Sequence, residues 1–95
     1  FRSWSSCGHA LHHLGDFRRA EDSYRQALRL VREVDHVRYE AMILDQLGDT
    51  HHAAGKPTAA REAWQQALDL LDSGSDVRRD AIRAKLRGSP AAAAA

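Results

Sequence analysis

The 95 residues suffice for one small domain, with 43% of them hydrophobic and 28% charged. Fourteen Lys and Arg against 13 Asp and Glu leave a formal charge of +1, so charge alone gives no reason to expect a nucleic-acid or membrane partner. The single cysteine, Cys7, excludes an internal disulfide, and no apolar run approaches the roughly 20 residues that a bilayer span needs.

The first segment, Phe1 to Leu14, spaces Trp4, Cys7, Gly8, Leu11 and Leu14 as on one face of a helix, with Ser3 as its N-cap. Cys7 falls in that apolar pattern and reads as a reduced packing residue. Gly15-Asp16 breaks the pattern: Gly15 suits a left-handed C-cap and Asp16 caps a second helix. So short a turn folds the second helix back antiparallel. That helix, Phe17 to about Val34, carries the stripe Phe17, Ala20, Tyr24, Ala27, Leu28 and Val31. Small Ala20 and Ala27 flank Tyr24, so neighbouring helices can approach closely while one ring fills the gap.

Asp35 is read as the cap of a third helix, His36 to Ala54, with Val37, Ala41, Leu44, Leu47 and Gly48 inward. Gly48 inside a helix costs about 1 kcal/mol relative to Ala, and close helix crossing is the compensating reason. Gly55-Lys56-Pro57 repeats the earlier break, with Pro57 in a first turn where its missing N–H is harmless. Thr58 to about Leu71 closes a second hairpin that buries Ala60, Ala63, Trp64, Ala67, Leu68 and Leu71. Ser73-Gly74-Ser75-Asp76 is a loop ending in an N-cap. Val77 to about Arg87 forms a fifth helix with Val77, Ala81, Ala84 and Leu86 inward, and Gly88-Ser89-Pro90 stops it before five alanines of low complexity.

The two hairpins are copies. A shift of forty positions lays Cys7-Gly8 on Leu47-Gly48, Ala20 on Ala60, Tyr24 on Trp64, Ala27 on Ala67, and Leu28-Arg29-Leu30 on Leu68-Asp69-Leu70. On these residues the chain resembles the tetratricopeptide repeat family. The second unit supplies Leu44, Leu47-Gly48, Ala60, Trp64 and Ala67; the first supplies Trp4, Gly8, Ala20, Tyr24 and Ala27. It departs at Cys7 for the usual Leu, at Leu11 and His51 for an aromatic, and at Arg32 and Asp72 for a unit-ending Pro. Its forty-residue spacing exceeds the family's usual 34, which we read as longer helices around Glu33 to Val37. The expected fold is all-α, antiparallel helical hairpins stacked as a short solenoid. Its parts are repeat 1 at 1–34, repeat 2 at 35–74, a capping helix at 75–88 and an Ala-rich disordered tail at 89–95.

A second likeness concerns the parent protein. The run from Leu47 to Trp64, then Ala67 to Asp72 and Val77-Arg78-Arg79, resembles the C-terminal repeats of actinobacterial multidomain transcriptional regulators of the antibiotic-regulatory type. Frequent Ala, and Arg with only Lys56 and Lys85 as lysines, has the bias of a GC-rich coding sequence. The likeness implies a cytoplasmic segment of something longer, carrying neither a DNA reader nor an ATPase.

The resemblance also implies a binding surface, a groove lined by first-helix residues at the second, fifth, ninth and twelfth places of each unit. These are Arg2, Ser5, His9 and His12, then Met42, Asp45, Asp49 and His52. Such a polar groove lacks the Lys and Asn set of the chaperone-tail carboxylate clamp, and a peptide or protein surface with a basic or polar face suits it better. Other chemistry is weighed against ordinary helix surface. His9 and His13 are an i,i+4 pair, and His12, His51 and His52 lie on neighbouring helices near Asp45 and Asp49, but no metal-ligand spacing is present, so no metal or cofactor is expected. Arg18, Arg25, Arg29 and Arg32, interleaved with Glu21, Asp22 and Glu33, read as a solvated convex face with ion pairs such as Asp22 with Arg18. No phosphate loop, activated nucleophile or buried carboxylate pair appears, so the chain is read as a non-enzyme. The alternative to a ligand groove is a packing segment that forms a homo-oligomer through Phe1, Trp4, Leu11 and Leu14 of the first helix.

Overall fold

The computed structural model describes residues 2–71 and 77–88, with Arg2 and Val77 by backbone alone. The helices run in order α1 (Arg2–His13), α2 (Phe17–Glu33), α3 (Val37–Ala53), α4 (Pro57–Leu70) and α5 (Val77–Gly88). The expected loop at 73–76, Asp72 and the tail at 89–95 lie outside the described residues, as does Phe1.

Three near-identical turns set the antiparallel order. After α1, Asp16 N–H donates to the Leu11 carbonyl at 2.9 Å and Gly15 N–H to His12 at 3.0 Å. After α3, Lys56 N–H donates to His51 at 2.8 Å and Gly55 N–H to His52 at 3.1 Å. Both are Schellman closures, and Gly15 (φ 83°) and Gly55 (φ 79°) take the left-handed residue they require. The turn between α2 and α3 is the same closure made by a different residue: Asp35 holds φ 55°, with His36 N–H on the Val31 carbonyl at 3.5 Å. Asp35 therefore ends α2 and does not cap α3. The cap is His36, whose Nδ1 accepts from Tyr39 N–H at 3.2 Å. At the start of α2, Asp16 accepts from Arg19 N–H at 3.4 Å, the cap read from the sequence. α1 already includes Arg2, so Ser3 lies within its first turn and is not its cap.

α3 is the centre of the packing, against α4 and α2 and more lightly against α1, while α1 packs on α2 and α5 on α4. The core is Ala20, Tyr24, Ala27, Leu28 and Val31 from α2, Ala41, Ile43, Leu44 and Leu47 from α3, Ala60, Trp64 and Ala67 from α4, Leu71, and Ile82 from α5. The glycines make two crossings close: a Cβ on Gly8 would stand 2.8–2.9 Å from the Tyr24 ring, and one on Gly48 would overlap the Trp64 indole. With the indole so near, Trp64 Nε1 donates to the Asp45 carbonyl at 3.2 Å. All five helices, with no strand among the described residues, make the expected all-α fold.

Several packing expectations fail, Trp4 and Leu14 among them at 43% and 81% exposed. Cys7 is exposed, as are Ser3 and Ala10, because no helix among the described residues covers that side of α1. Val37 is 40% exposed at the outer start of α3. In α5 the buried side chain is Ile82, and Ala81 and Ala84 face out. Burying one large branched side chain gains more than burying two methyl groups, and the rotation that achieves it turns Arg78 and Lys85 toward α3. Glu21 is 4% exposed, not part of a solvated stripe, and Asp22 pairs with Arg25 at 3.6 Å, not with Arg18.

Candidate functional site

α1 and α3 are the equivalent first helices of the two units and carry the predicted groove residues, of which Met42, Asp45 and Asp49 face α5. Ser5 and Asp45, both at fifth places, are buried. His9 is exposed and Asp49 half-buried at ninth places. His12 turns to Thr50, its Nδ1 2.9 Å from the hydroxyl, which in turn donates to the Gln46 carbonyl at 3.1 Å. Met42 is half-buried beside α5. His52 is exposed, with its ring 5.8 Å from that of Trp64. The side chain of Arg2 is outside the described residues.

What the sequence did not reveal is how α5 engages the carboxylates. Arg78 Nη1 donates to Asp45 Oδ2 at 3.1 Å. Lys85 Nζ donates to Asp45 Oδ1 at 2.7 Å and to Asp49 Oδ2 at 3.1 Å. Burial alone would lower the Lys85 pKa, but its hydrogen bonds and charge attraction to Asp45 and Asp49 outweigh this and hold it above its ordinary value. A buried aspartate thus has two cationic partners and satisfied oxygens, the condition under which a desolvated charge is tolerated. The spacing of Arg78, Ile82 and Lys85 at i, i+4 and i+7 is the signal that could have revealed it, since a buried Ile82 brings both cations inward with it.

The Asp45–Arg78 pair lies on the walls of two clefts. One, of about 280 Å³, is lined by His9, His12, His13, Tyr24, Asp45, Gln46, Asp49 and Arg78. The other, of about 670 Å³, runs between the start of α3 and α5, along Tyr39, Met42, Asp45, Leu71 and Arg78. In the smaller cleft Tyr24 is pushed up to about 12, first by burial and then by the charge of Asp49, so its phenol stays protonated and can only hydrogen-bond. Gln46 Oε1 is buried with no hydrogen-bond partner among the described residues. This wall is rich in acceptors and holds one carboxylate whose side chain is 41% exposed.

The histidines do not converge. His9 and His13 meet Nε2 to Nε2 at 3.2 Å at the exposed edge of the smaller cleft, His12 bonds Thr50, and His51 turns instead to Glu21 of α2. No group of three or more His, Cys, Asp or Glu able to hold a metal occurs among the described residues. His51 Nδ1 lies 3.2 Å from Glu21 Oε1, and Lys56 Nζ donates to both Glu21 oxygens at 3.2 Å. Burial is the main reason that the His51 pKa falls below its ordinary value; Glu21 opposes the shift, and Arg25 and Lys56 add to it. This cluster bolts α2 to α3 and the adjoining turn. It has no nucleophile, and it takes the place where an aromatic was expected.

Helical hairpins in copies, with small residues at the crossings and polar residues left to the first helices, define a repeat scaffold. The particular family comes from comparison: the family model described as tetratricopeptide repeat matches residues 1–73, and the chain belongs to that family. No curated protein and no solved structure matches it. Tetratricopeptide repeats are protein-interaction scaffolds and are generally non-catalytic.

Proposed function

We propose that this chain is the C-terminal end of a repeat array in a cytoplasmic transcriptional regulator, and that it binds a peptide or protein surface in the groove between α1, α3 and α5. The regulator context rests on the run from Leu47 to Trp64 and on Val77-Arg78-Arg79, which resemble the terminal repeats of such proteins. No described helix is long and apolar enough to cross a membrane. The observation that carries the binding reading is the cleft of about 280 Å³, which draws His9, His12 and Asp49 from both units onto one wall. Asp49 is its exposed carboxylate, and Arg78, comparably exposed, is already paired with Asp45, so the ligand is cationic or polar, and direct nucleic-acid contact is not expected of it. The repeat units are residues 1–34 and 35–74, with 75–88 as the cap. Ser5, Met42, Asp45 and His52, and the side chain of Arg2, complete the surface.

Fluorescence anisotropy with three labelled helical peptides, of basic, neutral and acidic face, tests this. The basic peptide should bind, and Asp49→Ala should weaken it about tenfold. Circular dichroism should change little, because half-exposed ion pairs contribute only about 0–1 kcal/mol. Indifference to peptide charge, or to Asp49, would end the reading.

A second reading has its own observation. Trp4 of α1 is 43% exposed and Leu14, just beyond its end, 81%, whereas their counterparts one unit later, Leu44 and Ala54, are buried and half-buried. A partner helix covering that face would make the segment an oligomerisation element with no ligand groove of its own.

A further inference from the structure

We propose that Arg78 and Lys85 act as built-in competitors for the groove, occupying the carboxylates that a basic partner segment takes over when it binds. The inference rests on the groove reading above and adds both the ligand's chemistry and its regulation. α5 carries Arg78, Arg79, Arg83, Lys85 and Arg87 against a single acid, Asp80. Two of these five cations converge on Asp45 and Asp49, at 2.7–3.1 Å. The chain itself therefore displays the chemistry its acidic wall accepts.

Three further observations point to exchange and not to a permanent seal. First, the Arg78 and Lys85 side chains are 39% and 33% exposed, so each can swing to water, while Ile82 at 0% keeps α5 anchored. Second, Asp45 and Arg78 line both clefts, of about 280 and 670 Å³, so the pair stands where a segment running from one cleft to the other would pass. Third, Asp49, with its side chain 41% exposed, lines the smaller cleft beside Gln46, so a carboxylate is already open to a partner there. An arginine from a partner supplies what that wall lacks: several N–H donors on one planar cation. The partner is thus a protein segment bearing Arg or Lys, and its charges must outcompete two cations held at the high effective concentration of a tether.

The probe is a labelled peptide of the α5 sequence, residues 77–88, carrying Lys85→Arg, added to the full 95-residue chain. Anisotropy should show the Arg78→Gln/Lys85→Gln variant binding it at least tenfold more tightly than the wild type. Adding Asp45→Asn and Asp49→Asn to that variant should abolish the gain. A measurement on the unaltered protein guards against misfolded variants. Lys56 and Lys85 are the only lysines, so amine acetylation read by mass spectrometry should rise at Lys85 on adding peptide and stay constant at Lys56. Equal affinity for wild type and the double glutamine variant overturns the competition, and if Asp49→Ala still weakens binding the groove itself stands. Failure of the peptide to bind any variant overturns both. A concentration-dependent dimer that exchanges α5 between copies also overturns it, because the occupant would then be a second copy.

Discussion

At the scale of single residues, the three turn positions Gly15, Asp35 and Gly55 fall twenty residues apart and hold the same left-handed conformation. Only the middle one bears a side chain, and aspartate tolerates that region at some cost where glycine has none. Asp35→Gly should therefore stabilise the protein by about 0.5–1 kcal/mol, seen as a higher urea midpoint with an unchanged slope. His51 provides a test of a different kind. Its pKa is lowered in the folded state, mainly by burial, so the unfolded chain takes up the proton first as pH falls. The neutral ring's contribution is complete above the ordinary value of 6.5 and is lost as pH falls from there toward the lowered folded value. Stability measured by denaturant should fall with acid across that window, and His51→Gln should flatten the fall. An unchanged slope in the variant would assign the pH dependence to other groups.

Among the elements, α3 and α4 hold the chain together through one interlock. Gly48 admits the indole of Trp64, and the indole N–H finds the Asp45 carbonyl one turn earlier. The same carbonyl's residue sends its side chain to α5, so Asp45 joins α3 to α4 through its backbone and to α5 through its carboxylate. Trp64→Ala removes a ring that is 3% exposed and leaves a cavity at this joint, at a cost of about 3–5 kcal/mol. A domain of this size has only about 5–15 kcal/mol to lose, so the variant should be largely unfolded by circular dichroism at 37 °C. A folded Trp64→Ala variant would contradict the interlock. The equivalent joint of Gly8 with Tyr24 is gentler, because the phenol ring leaves the added Cβ farther away than the indole does.

For the whole molecule, the two ends are unequal. α5 closes the α4 side with Ile82 and two ion-paired cations, while α1 leaves Trp4, Cys7 and Leu14 open to solvent. Their counterparts in the second unit, Leu44, Leu47 and Ala54, are buried, buried and half-buried, in a unit whose first helix packs against α2. Light scattering after size exclusion should detect self-association of the wild type if this face is an interface. The Trp4→Ser/Leu14→Ser variant should then be a monomer at the same concentration. A wild-type monomer at high concentration would favour the groove as the working surface.

The sequence by itself determined the hairpins and their repetition. Turn chemistry is local, and the small-aromatic-small stripe of Ala20, Tyr24 and Ala27 has one geometric solution that Ala60, Trp64 and Ala67 repeat. It also put Asp45 and Asp49 forward as groove candidates, through the likeness of the units to a known repeat. It did not reveal that α5 binds them, because the rotation of a short helix with several small apolar residues is set by which neighbour offers a cavity for Ile82. Nor did it reveal the Glu21–His51–Lys56 cluster, since a charged side chain on a helix reads as solvated until another element covers it. Periodicity and turn residues act within about one helix turn of themselves. The burial of Asp45, Glu21 and His51, and the exposure of Cys7, depend on which helices stand opposite, and the tertiary structure alone decided that.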